Sequence, residues 1–278
     1  MTCAADNSIN GFGGYGKPLA LALLLSCLAL VDVNAAPQPT GVRNSAGPRR
    51  LNEKQLQQAQ DSLRHKSGFM ELGFDAQGGL TLGNRQRIRD GSATARALLI
   101  AAVDSGNLYE LESHELSPEV AFARLYESEY REIGETGQRL DIFQVQIDFA
   151  DFDRLQGTRE AKAALDLGLS LLHELVHGVL KLQDPQGEMD QIGECDAHVN
   201  QMRRELQLPE RLYYHPDITV ARTSDGRRIV NASLVFVERT AANARPSAKY
   251  RLYWLPSEVS PNAQNIAGLQ QGTLAPRR

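Results

Sequence analysis

His173-Glu174-Leu175-Val176-His177 sets two imidazoles four residues apart, with a carboxylate next to the first. On an α-helix, positions i and i+4 share a face about one turn apart, so both rings can reach one tetrahedral Zn²⁺. Glu174 can reach a water held on that metal without ligating it. Zinc lowers the pKa of such a water towards ~7, and a glutamate can accept its proton. The motif therefore predicts hydrolysis at a polarised carbonyl, with Glu174 as general base and one zinc per chain. Such a short pattern also arises by chance, about once in a hundred chains of this length. Its surroundings weigh against chance. Almost every residue from Ala163 to Leu182 is apolar, apart from a stripe of Asp166, Ser170, His173 and His177. Two histidines and a glutamate in a buried helix are costly without partners.

A catalytic zinc needs a third protein ligand and an open position. Downstream candidates are Glu188, Asp190, Glu194, Asp196 and His198. Glu194 and His198 share a helix face, so Glu194 is expected as the ligand, with His198 or Asp196 as its supporting partner or its replacement. Glu194 could instead be an acid that complements a helix N-terminus. Asp148, Asp151 and Asp153 could hold a second cation or simply be solvated.

These elements must position the motif. A polar helix is expected over Leu51–His65, a hairpin over Phe69–Leu82 and a helix over Ser92–Val103 capped by Ser92. Leu108–Leu111 reads as a strand, and Val120–Tyr126 fits strand or helix. Phe143, Val145, Ile147 and Phe149 alternate with polar residues, as in a half-buried strand. One long helix is expected over Arg159–Lys181, ended by Asp184-Pro185. A second should run from Glu194 to Leu206, followed by strands near 212–222, 228–238 and 248–254, with Asp225-Gly226 as a hairpin turn. The fold class is α+β: a small twisted sheet packed on a buried metal helix, with a second helix supplying the third ligand.

The sequence also resembles a family. His173–His177, a downstream glutamate, and the run from Asn200 through Arg203, Glu205, Leu208-Pro209 and Arg211 look like zincin proteases among bacterial type III effectors. Those are distantly similar to clostridial neurotoxin light chains. The resemblance covers roughly residues 141–215. It implies a gluzincin-like centre with zinc on His173, His177 and Glu194. It also implies that Arg211 and Tyr214 steady the oxyanion of a tetrahedral intermediate, with His215 as a further donor. The partner it implies is a protein or peptide substrate, laid along the strand ending at Phe149 if that strand is an edge. Two other readings stay open. One is a non-catalytic zinc-binding module, and the other is a zinc amidohydrolase acting on a cell-wall amide.

The 278 residues carry a net charge of −4. Nothing in that balance or its distribution marks a nucleic-acid partner. Lys17, an apolar run of about 13 residues from Leu19, and Ala35-Ala36 form a secretory signal layout. That run is shorter than the roughly 20 residues a bilayer span needs, so no stable membrane insertion is expected. Residues 1–35 are thus expected as a signal peptide, 36–50 as a flexible leader, 51–255 as the catalytic domain and 256–278 as a disordered tail. The destination is secreted or periplasmic, with lipoprotein anchoring at Cys27 as the alternative. Removing the signal leaves Cys195 alone, which excludes an internal disulfide. No motif speaks to an oligomeric state.

Overall fold

The computed structural model describes residues 40–133, 138–186, 191–239 and 245–259. The expected signal peptide lies outside the described residues, as does the tail beyond Val259. The fold is mixed α and β. In chain order it runs β1 (Gly41–Asn44), α1 (Glu53–Ser67), β2 (Gly73–Phe74), β3 (Leu80–Thr81), α2 (Ala93–Val103), β4 (Leu108–Ser113), β5 (Ala123–Ile133) and β6 (Gln138–Ile147). It continues with α3 (Phe149–Asp153), β7 (Gln156–Gly157), α4 (Arg159–Ala164), α5 (Leu167–Leu175), a π-helical turn (Val176–Leu180) and α6 (Gly193–Glu205). The last strands are β8 (Glu210–Arg211), β9 (Asp217–Arg222), β10 (Arg228–Glu238) and β11 (Ala248–Trp254).

One sheet has the order β1-β4-β6-β5, with β5 the only antiparallel member. Phe143, Val145 and Ile147 of β6 are buried, as the alternation predicts. Burying side chains of that size contributes about 1.5–3 kcal/mol each. They meet α1, α2, α5 and α6 in one core. A second sheet, β7-β11-β10-β8 with β9 also on β10, packs on α4. The Asp225-Gly226 turn joins β9 to β10, closed by Gly226 N–H donating to Thr223 O.

Four expectations need correction. First, the leader is ordered from residue 40 onwards: β1 pairs with β4, Val42 is buried, and the Asn44 side chain bonds both backbone groups of Leu51. Second, the single helix over 159–181 is broken. Leu165 leaves helical geometry, and Asp166 starts α5 as its N-cap, accepting from Leu169 N–H. Asp166 also pairs with the buried Lys66 of α1 at 2.5 Å. An aspartate cap satisfies an orphan donor of the new helix, which outweighs helical continuity here. Third, β6 is an interior strand. Among the described residues the outer strands are β1 and β5, and β6 stops at Ile147 because Asp148 caps α3. Fourth, the expected tail folds back at its start, where Arg154 donates to Glu258 O and Val259 is buried.

Candidate metal centre

The π-helical turn carries the second histidine. Tyr109 of β4 sits against it, its hydroxyl donating to Gly178 O at 3.3 Å. A Cβ on Gly178 would lie 2.6 Å from Tyr109 Cε1, so only glycine allows this approach of helix and sheet. His173 Nε2 and His177 Nε2 lie 3.1 Å apart. His177 Nδ1 is 2.7 Å from Leu182 O, a contact that commits Nδ1 as donor and leaves Nε2 to ligate.

Two further donors complete the group, and neither is Glu194. Asp184 places Oδ2 3.2 Å from His177 Nε2 and Oδ1 3.5 Å from His173 Nε2. Cys195 Sγ is 3.4 Å from His173 Nδ1 and 3.7 Å from its Nε2, and it donates to His173 O at 3.6 Å. One ligand atom from each of His173, His177, Asp184 and Cys195 falls within 4.8 Å of the others. Zinc bond lengths give tetrahedral edges of about 3.3 Å between N and O donors and about 3.6 Å from N to S. The three edges among His173, His177 and Asp184 match to within a few tenths of an ångström, whereas the Cys195 sulfur, nearer the far nitrogen of His173, stands off this geometry. Asp184 Oδ1 is buried and has no hydrogen-bond donor aligned with it, as expected of an oxygen reserved for a cation. The donor set of nitrogen, sulfur and oxygen suits a borderline ion such as zinc. This buried group can hold a metal ion. Asp184 and Cys195 come together because Gly193, at φ +71°, lets Pro185 pack where a Cβ would lie only 2.5 Å from Pro185 Cδ.

Glu194 is exposed at the start of α6 and stands outside the group. Neighbouring residues on a helix point about 100° apart, so turning Cys195 inward turns Glu194 to solvent. His198 is half-buried and also outside the group. Asp196 is fully buried but committed elsewhere. It accepts from Arg211 at 2.7 Å and Arg203 at 3.3 Å, and reaches His173 Nδ1 only at 3.9 Å. Glu188 and Asp190 lie outside the described residues.

Charge in the centre is strongly coupled. Burial pushes the Glu174 carboxyl up, against the pull of both imidazoles. Burial pulls His177 down, but Asp184 and Glu174 outweigh it and lift the ring to about 9. Burial raises Asp184, yet the two histidines hold it well below the usual carboxylate range. The Cys195 thiol is driven far up by burial and by Asp184, Asp196 and Glu174. A cation in the middle would reverse that last direction, because a coordinating thiol is deprotonated.

Glu174 Oε2 accepts from the backbone N–H of Leu125 on β5 at 2.6 Å. Glu174, both histidines, Asp184 and Tyr214 line one cleft of about 450 Å³, walled on one side by β5. Tyr214 lies parallel to the His173 ring at 6.4 Å. Burial raises its phenol well above the usual range, and Asp184 adds to this. Arg211 does not offer a free guanidinium. It donates to Asp196, Tyr213 O and Tyr214 O. His215 is buried edge-on to Tyr214, with neither ring nitrogen hydrogen-bonded.

The run from Asn200 to Arg211 forms framework. Asn200 bonds both backbone groups of Arg211, and Arg203 is buried between Ala164 O, Asp196 and Asn200. Asp148 and Asp151 are structural as well: each accepts backbone N–H groups, and Asp151 also pairs with Arg154. Sequence reasoning missed Asp184 and Cys195. In the sequence, Asp184-Pro185 signals the end of a helix, and Cys195 signals only the lack of a disulfide partner. A lone cysteine downstream of two spaced histidines was the available signal. No family model, curated relative or solved structure matches this chain.

Proposed function

We propose that the chain is a zinc-dependent metallopeptidase of zincin type, cleaving peptide bonds in a protein or peptide substrate. The observation that carries this is the juxtaposition of Glu174 with His173, His177 and Asp184 in one open cleft. When bound, the metal would polarise a carbonyl and acidify water. His173, His177 and Asp184 would hold it. Glu174 would take a proton, its raised affinity for protons suiting a base that works near neutrality. The Tyr214 hydroxyl, kept protonated by its surroundings, would donate to developing negative charge. β5 is an outer strand of its sheet among the described residues and runs beside Glu174, which supports an extended peptide along residues 123–127.

The zinc-loaded chain should cleave casein. Glu174→Gln should lose about 10²–10⁴-fold in rate while keeping its zinc. A Glu174→Gln chain as fast as the parent would overturn the assignment. Hydrolysis of purified peptidoglycan in place of casein would move the substrate to a cell-wall amide. A second reading, a metal-holding module without hydrolysis, is favoured by one feature: a fourth donor side chain, Cys195, gathers within 4.8 Å of the other three.

A further inference from the structure

A second cavity, of about 180 Å³, adjoins the cleft at His173, Glu174 and Tyr214, which line both. Its walls are mostly apolar. Leu165 and Leu169 come from the α4–α5 stretch, Leu234 and Trp254 from the second sheet, and Phe122 from the turn into β5. An apolar cavity of about 150 Å³ takes up benzene, so this one has room for one aromatic ring. Phe122 is held at φ +64°, a left-handed conformation that a bulky residue rarely adopts. Its N–H donates to Asp151 and its carbonyl accepts from Asp148 N–H. Its ring meets Trp254 edge-on, with 5.4 Å between centroids. Strained residues of this kind cluster at ligand clamps. One polar atom in the wall is uncommitted. Arg203 and Arg211 reach the cavity but are bound to Asp196 and to backbone carbonyls. Ser170 is 7% exposed, and its Oγ meets no hydrogen-bond partner among the described residues. A buried hydroxyl is rarely left unpaired.

We infer that this cavity is a specificity pocket for the substrate residue flanking the scissile bond, and that it selects an aromatic side chain carrying a hydroxyl, tyrosine ahead of phenylalanine. This rests on the peptidase reading above. The ring fills the space between Leu169, Leu234 and Trp254, and its hydroxyl supplies the partner that Ser170 Oγ lacks. Ser170 and Glu174 are four residues apart on α5 and share a face. A side chain seated beside Ser170 therefore brings its own backbone to the base. A small side chain leaves the cavity unfilled and Ser170 unpaired.

Trp254 is the chain's one tryptophan and lines the cavity, so its fluorescence reports occupancy. The full chain is titrated with 4-methylphenol and with toluene, which reproduce the tyrosine and phenylalanine side chains. Both should change the emission saturably, with 4-methylphenol bound about 2–10-fold tighter, the worth of one net hydrogen bond. Ser170→Ala should erase that difference and keep toluene binding. The zinc-loaded chain is then given peptides copied from a casein site it cuts, with each residue flanking the cut changed in turn to Tyr, Phe or Ala. At one of the two positions kcat/KM should be at least about tenfold higher for Phe than for Ala, and higher again for Tyr. No saturable change in emission, equal binding of the two probes, or equal cleavage of the three peptides overturns the inference. Saturable binding in a zinc-loaded chain that cuts no casein overturns the peptidase reading and leaves a binding site for the phenol. If Ser170→Ala does not fold, the two probes on the parent chain still decide.

Discussion

The Arg211 guanidinium lies over the Tyr214 ring, its Cζ 4.7 Å from the centroid, while its N–H groups hold Tyr214 O and the Asp196 carboxylate. Arg211 thus positions the phenol and is not itself a donor to substrate. Tyr214→Phe should lower kcat by about 10²–10³-fold, the usual loss for one oxyanion donor. Arg211→Lys loses the fork geometry and should lower kcat as well. The two should not add: the double variant should match Tyr214→Phe alone, because both remove one function. Additive losses in kcat would assign Arg211 a separate role.

Asp184 and Glu194 should separate cleanly by metal content. Asp184→Ala removes a donor and should weaken zinc binding by more than about 100-fold, beyond the loss of a supporting partner. Glu194→Ala should leave zinc binding within a factor of two or so, as expected for a surface substitution. Competitive chelator titration of both variants measures this. The opposite ranking would restore Glu194 as the ligand.

Gly178 is the contact on which helix-to-sheet packing turns. Gly178→Ala would place a methyl 2.6 Å from Tyr109 Cε1. Overpacking of this kind costs about 1–3 kcal/mol. Chemical denaturation of the variant should show that loss, and Tyr109→Leu, which clears the space, should recover part of it.

Glu205 supplies a test in pH. Its carboxylate accepts from Ser92 Oγ, Thr94 N–H and Thr94 Oγ1 at the start of α2. Burial raises its pKa, but these bonds prevail and hold it at about 2, against an ordinary 4.5. The folded pKa is depressed, so the stabilisation is complete above pH ~4.5 and disappears as pH falls towards ~2. Glu205→Gln should be less stable than the parent by about 1.5–3 kcal/mol at neutral pH. Unfolding curves should converge as the solution is acidified. A difference independent of pH would sink the assignment.

Sequence periodicity placed most elements, because alternation and capping are local. Ser92, the β6 alternation and the Asp225-Gly226 turn all carried their structure in a few residues. The break at Asp166 was hidden because an apolar run surrounds a polar cap, and the ion pair that rewards the break comes from Lys66 on α1. The site divides the same way. His173, Glu174 and His177 follow from helical spacing. Asp184 and Cys195 depend on how the chain reverses between the π-helical turn and α6, which spacing along a helix does not encode.

That reversal has its own consequence. Asp184 and Cys195 stand at the two ends of a segment whose ends already touch, Pro185 against Gly193. Among the described residues, the Pro185–Gly193 contact is thus what holds Asp184 beside the start of α6. Closing a loop costs only about 0.6 kcal/mol more for each doubling of its length. The position of Asp184 is therefore set by that one contact far more than by how much chain lies between its two sides.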